Sequence, residues 1–225
     1  MKHEYTVIHS NRRTASLEVM DGHLTVRVTL AATTEHIEQI VASKRDWIER
    51  KMKQSAEAAK ERSAHSLDYG DEVFLLGKPY LITVTDEPRV GFDGSSFYMP
   101  PGLSTEQIQE NCVRIYKALA ASYLPQRASA IASTVGVIPK SVRISSARTR
   151  WGSCSSKGVV SLSWHLILAP DILVDYVIIH ELAHLVIMNH SKEFWELVAS
   201  ALPDYQMHRK QLQDVQRRMY SENWV

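Results

Sequence analysis

Cysteine is scarce in this chain: among 225 residues only Cys112 and Cys154 occur, in dissimilar contexts. Two unrelated thiols exclude a disulfide framework and make a reducing cytoplasm the expected location. Long apolar runs are also missing. The opening M-K-H-E-Y-T-V-I-H-S-N-R-R-T has no uninterrupted apolar core, so no secretion signal is expected. No run approaches a membrane span, so no membrane partner is expected either. A formal net charge of +1 excludes an overall nucleic-acid coat. The most local absence is of acid: from Asn111 to Pro170 there is no Asp or Glu, while Arg114, Lys117, Arg127, Lys140, Arg143, Arg148, Arg150 and Lys157 are present. Such a block is either a solvated or internally paired face, or the electropositive wall of a cleft.

What is present is apolar content of 44%, enough for one large or two small domains. Residues 4–30 alternate as strands, with A-S-L-E-V-M and H-L-T-V-R-V-T-L joined at Asp21-Gly22, a two-residue hairpin signal. From Thr34 to Arg62 the period becomes helical, with Ile37, Ile40, Val41, Trp47, Ile48 and Met52 on one stripe that should pack on the sheet through Trp47. Strands V-F-L-L-G, P-Y-L-I-T-V and S-F-Y-M-P then suit a meander ending at Pro100-Pro101, where a boundary between portions 1–101 and 102–225 is placed. Ser104 and Gln107 form a capping box for a helix carrying Ile108, Cys112, Ile115, Leu119 and Tyr123 on its buried stripe. Pro125 should kink or restart that helix, which ends by Gly136. Val142 and Ile144 open a strand, and Val160 to Leu166 another, separated by the long loop A-R-T-R-W-G-S-C-S-S-K-G.

The stretch from Asp175 to Trp195, D-Y-V-I-I-H-E-L-A-H-L-V-I-M-N-H-S-K-E-F-W, places His180, Glu181, His184 and His190 inside an apolar run. Four residues of helix advance about 400°, so His180 and His184 stand one above the other and can offer two imidazole nitrogens to one ion. Glu181 lies beside that face, able to hold a water without being a ligand. A catalytic zinc site uses three protein ligands and one open position, and His190 is the third candidate. Continued helix would turn His190 about 240° away from His184, so the helix must end before it, at Met188-Asn189. Ser191 can cap a following helix through Phe194, Leu197, Val198 and Leu202, and a last helix runs from Asp204 or Tyr205 to Met219. Glu193 and Glu196 stand in reserve as third ligand. Cys154 could reach the metal as a fourth, inhibitory ligand, and His165 or His208 could stabilise an oxyanion.

H-E-L-A-H-x5-H-x3-F-W, preceded by R-W-G-S-C-S-S-K-G and L-S-W-H-L-I-L-A-P, resembles the YgjP-like metallopeptidase family, grouped with the zincins and related to SprT-type and WLM proteases. The likeness covers most of the chain and is tightest from Val142 to Leu212. It implies an α+β protein: an N-terminal antiparallel sheet with a long helix at 34–62, then a zincin-like helical portion with a β-hairpin beside the metal helix. It also implies a zinc-dependent hydrolase holding one zinc per chain on His180, His184 and His190, with Glu181 as base. Arg148, Arg150 and Trp151 fall in the family's loop and could hold a substrate carboxylate or phosphate. The metzincins share the spacing between second and third ligands, but have Gly where this chain has Ile187, which argues against that group.

The family name makes a peptide substrate the first expectation. Pyrophosphohydrolase activity on nucleoside triphosphates such as UTP is also associated with YgjP-like proteins and suits the basic block. A DNA-associated protease like the SprT type is a further alternative, predicting salt-sensitive nucleic-acid binding. A purely structural zinc would favour four cysteine-rich ligands, which this motif lacks.

Overall fold

The computed structural model describes residues 4–20, 22–64 and 66–224. Its contacts divide the chain into two compact units, Met1–His65 with Tyr220–Asn223, and Ser66–Met219 with Trp224–Val225. The class is α+β, as expected.

In the first unit, β1 (Tyr5–Ser10), β2 (Ser16–Met20) and β3 (His23–Thr29) form a sheet in the order β1-β3-β2. Leu24, Val26 and Val28 alternate on the buried face of β3, the two-residue period of a half-buried strand. The β2–β3 hairpin is present, with Met20 opposite His23 and Gly22 at φ 72°. Asp21 lies outside the described residues. The sheet is mixed rather than antiparallel, because β1 runs parallel to β3. Alternation reveals which face of a strand is buried but carries no information about its direction. The expected long helix is two: α1 (Thr34–Ser43) and α2 (Arg45–Ala64). The break falls at Lys44, whose φ of −114° leaves helical geometry, next to Ser43, whose hydroxyl donates to the Ile40 carbonyl. Ile37 and Ile48 are the buried helix anchors, with Trp47 half-buried at their rim.

In the second unit, β4 (Glu72–Leu75), β5 (Lys78–Val84), β6 (Gly91–Phe92) and β7 (Ser96–Met99) are ordered β4-β5-β7-β6. This is not a meander: β7 lies parallel to β5, and β6, a strand absent from the sequence reading, takes the edge. Val73, Leu75, Ile82, Phe97 and Met99 enter one core with Ile108, Cys112 and Tyr116 of α3 (Thr105–Val135). The Tyr116 hydroxyl donates to the Phe74 carbonyl at 2.7 Å. Pro100-Pro101 lies within this unit, which begins at Ser66.

The Ser104–Gln107 capping box is formed, and α3 ends at Gly136 in the left-handed conformation, φ 74°. Contrary to expectation α3 runs through Pro125 uninterrupted, with Ala120, Leu124, Ala128 and Ile131 burying both halves of the helix in one core. Cys112 packs as a small apolar side chain, its thiol pushed up to about 12 by burial. A second sheet, β8 (Ser141–Ser145), β9 (Gly152–Cys154) and β10 (Val159–Ser163), is ordered β8-β10-β9. Then come a 3-10 turn at Trp164–Leu168, α4 (Asp171–Ala183), α5 (Lys192–Ala201) and α6 (Tyr205–Ser221). Helix α4 is buried on nearly every face and is pinned to α3 by polar contacts. Arg127 makes a two-pronged pair with Asp175 at 2.7 and 2.6 Å, and Tyr123 donates to Asp171 at 2.6 Å. Among the described residues no helix is long and apolar enough to cross a membrane.

Candidate metal centre

Helix α4 ends sooner than expected, at Ala183, with His184 as its C-cap and a turn over residues 184–186. The Nδ1 of His184 lies 3.1 Å from the Ile187 carbonyl, and since a carbonyl only accepts, Nδ1 is the protonated nitrogen. That bond fixes the imidazole orientation and leaves Nε2 with a free lone pair. The turn returns the chain so that His190 faces back over α4. Its Nε2 stands 3.1 Å from Nε2 of His180, and one ligand atom from each of His180, His184 and His190 lies within 4.8 Å of the others.

Two acceptor nitrogens aimed at each other need a shared proton or a shared cation. In tetrahedral coordination with Zn–N bonds of about 2.0–2.1 Å, neighbouring nitrogens stand about 3.3 Å apart, so the observed spacing suits an ion. With Nε2 turned to that centre, Nδ1 of His180 carries the proton, and among the described residues it is buried without a hydrogen-bond partner. Burial first, then the charges of His184 and His190, hold His180 near a pKa of about 4. Burial also lowers His184. Two imidazoles that burial holds toward the neutral form, His180 and His184, thus converge with that of His190, a donor set that fits a borderline-soft divalent ion. Their floor is Phe194 of α5, fully buried, with its ring centroid 5.0, 4.5 and 4.9 Å from those of His180, His184 and His190.

Glu181 follows His180 on α4 but stands outside the three-imidazole cluster. It is 7% exposed, and burial raises its carboxyl to about 7, with Arg150 opposing the shift. The long loop explains the burial. Within it β9 pairs antiparallel with β10, a hairpin beside α4, so β8 and β10 become parallel neighbours. Gly152 of β9 rests on the Glu181 side chain: a Cβ there would stand 2.6 Å from Glu181 Cγ and 2.8 Å from Oε1. Only glycine permits that approach. In the sequence Gly152 stands within R-W-G-S-C-S-S-K-G, where no local pattern signals this contact.

The other candidates are dispersed. Cys154, half-buried in β9, is raised by burial and by the Glu181 charge and is not among the clustered ligands. Glu193 interacts with Ser191, and Glu196 pairs with Lys192 at 3.3 Å, so neither reserve ligand joins the cluster. His165 is structural: its Nε2 bonds the Trp224 carbonyl at 2.9 Å, and its Nδ1 lies 2.9 Å from Ser163 Oγ. His208 is buried on α6, 3.2 Å from Gln211 Oε1. Arg148, Arg150 and Trp151 border a cavity of about 10 Å³ with Ser163 and His165, room for about one water. Arg150 is close enough to act on Glu181, whereas the charge of Arg148 acts on His165. The basic block does not converge on one point: Arg127 is spent on Asp175, and Lys117 lies over the Trp164 ring.

Comparison with known proteins adds the following. Residues 13–215 match the family described as YgjP-like, metallopeptidase domain. The crystal structure of the metallopeptidase zymogen of Pyrococcus abyssi abylysin is similar over 40% of this chain and 92% of that one, at 23% identity and a TM-score of 0.38, too weak a likeness to argue from. No curated protein matches the chain. The family match spans nearly the whole sequence, from the first sheet to α6, and on that ground the chain belongs to the YgjP-like metallopeptidase family.

Proposed function

We propose that this chain is a zinc-dependent peptidase in which His180, His184 and His190 hold one ion and Glu181 is the general base. The observation that carries the reading is the convergence of three imidazole nitrogens beside a buried carboxylate that stands outside their cluster. Bound there, zinc would supply a Lewis acid that polarises the attacked carbonyl and brings the pKa of a water toward about 7. Glu181 accepts the proton of the attacking water and delivers it to the departing amine. The substrate chain adds as an extended segment along the outer edge of β9, which has β10 on one side only. Gly152 lets that backbone lie against Glu181. Arg150 opposes the upward shift of the Glu181 carboxyl and so helps keep it ionised as a base.

The test is metal analysis and turnover on an unstructured polypeptide pool, with nucleoside triphosphates offered in parallel. About one zinc per chain is expected, with occupancy lost in His190→Ala. Glu181→Gln should keep the metal and lose turnover by orders of magnitude. Triphosphate cleavage that depends on Glu181, Arg148 and Arg150, without peptide cleavage, would replace the peptidase reading by the pyrophosphohydrolase one.

A further inference from the structure

Next to the histidine cluster lies a groove of about 370 Å³ that the metal chemistry does not use, bordered by Trp195 of α5 and by Tyr205, Gln206, Arg209 and Lys210 of α6. Trp195 joins the two places. Its ring stacks on His190 at 5.6 Å and 24°, lies 5.6 Å from His180, and stacks on Tyr205 at 5.2 Å and 14°. The guanidinium of Arg209 sits over the same indole, 5.4 Å from its centroid. Arg209 and Lys210 are exposed, and among the described residues neither is in an ion pair.

A guanidinium drawn to the face of an aromatic ring is partly restrained before any anion arrives, so less rotamer freedom is lost when its N–H donors take one. Its separation from His190 is at most two ring-to-ring steps through Trp195. About three extended residues, each advancing about 3.3–3.6 Å, span that distance. The anion within reach therefore belongs to the substrate itself, close to the bond being cut. A single fork backed by one lysine matches a carboxylate, which takes two parallel N–H bonds. A triphosphate would require several cations converging with the metal on one chain of phosphates.

Resting on the peptidase reading, we propose that Arg209, seated on Trp195 and seconded by Lys210, is a specificity-determining residue that receives a carboxylate of the peptide substrate within three residues of the cleaved bond. The carboxylate is either the free end of a short peptide or an acidic side chain. Arg209 is assigned the distant carboxylate, not the attacking water or the scissile carbonyl, and so it is not a catalytic residue.

The experiment uses full-length, zinc-loaded Glu181→Gln protein, so that binding is read without turnover. Three probes are titrated by calorimetry: tetra-alanine with a free C-terminus, the same peptide as its amide, and the amide with one alanine replaced by aspartate. At least one anionic peptide should bind about tenfold or more tighter than the neutral amide. Adding Arg209→Gln should erase that preference while leaving the neutral amide's affinity within about twofold. Lys210→Gln should reduce the preference only in part. A guanidinium that merely braced Trp195 would, on removal, weaken neutral and anionic peptides alike, and that result overturns the proposal. So does an equal affinity of the unmodified site for all three probes, or the absence of any peptide binding. Cleavage of an unstructured polypeptide by the parent protein is scored separately: if it persists with no charge preference, the carboxylate site fails while the peptidase reading stands.

Discussion

At the scale of single residues, the site depends on side chains that are absent as much as on those present. Gly152 has no Cβ, and that vacancy is where Glu181 lies. In Gly152→Ala the new methyl would press on Glu181 Cγ, so either β9 or the carboxylate must shift. The three atoms nearest to that methyl all belong to Glu181 and none to the imidazoles. Turnover should fall on the order of 10- to 100-fold, the usual consequence of a misplaced catalytic group, while zinc content stays at one per chain. Parallel hydrolysis and metal measurements check this, and turnover within twofold of the parent would mean the carboxylate tolerates displacement. The convergence of His180, His184 and His190 is legible because their spacing on one helix and turn is a local signal. Gly152, Phe194 and Arg209 were not singled out, because their roles arise from contacts between elements far apart in the chain. Arg148 shows the converse: its place in a basic loop singled it out, yet its charge acts on His165.

At the scale of elements, the two ends of α3 are legible in the sequence, whereas the early end of α4, the break between α1 and α2 and the strand partners are not. The Ser104–Gln107 box and the Gly136 stop are set by groups within four residues, so sequence carries them whole. Parallel pairings of β1 with β3 and β5 with β7 depend on how the chain returns, which alternation does not encode. Strand β9 was hidden because Gly152-Ser153-Cys154 is too short to show a period. One consequence concerns the turn after β10, which His165 ties to the C-terminal segment through the Trp224 carbonyl. Burial lowers the pKa of this 3% exposed imidazole to about 4, outweighing the hydrogen bonds that raise it. Its unfolded value is about 6.5, so between these limits the unfolded chain binds the extra proton. Stability from this group is complete above about pH 6.5 and is lost as the pH falls toward about 4, on the order of 3 kcal/mol in all. Denaturant melts at pH 7 and pH 4.5 should show this slope, and His165→Asn should flatten it; an unchanged slope would assign the acid sensitivity to other groups.

At the scale of the whole molecule, the two units have separate cores, one built on Leu24, Val26, Val28, Ile37 and Ile48, the other running from Leu67 to Trp224. All three candidate ligands and Glu181 belong to the second. A ligand stabilises only the structure that binds it, by RT ln(1 + [L]/Kd), about 2.7 kcal/mol at a hundredfold excess over Kd. Calorimetry of metal-free protein should therefore resolve two transitions, and free zinc at that excess should move one of them upward by roughly 5–10 °C for a unit of this size while leaving the other in place. In His190→Ala the zinc-dependent displacement should shrink, because one of three donors is gone, with the zinc-insensitive transition unaltered. A single transition that moves as a whole would show that the units unfold together, so that ligand binding in the second is felt throughout the first.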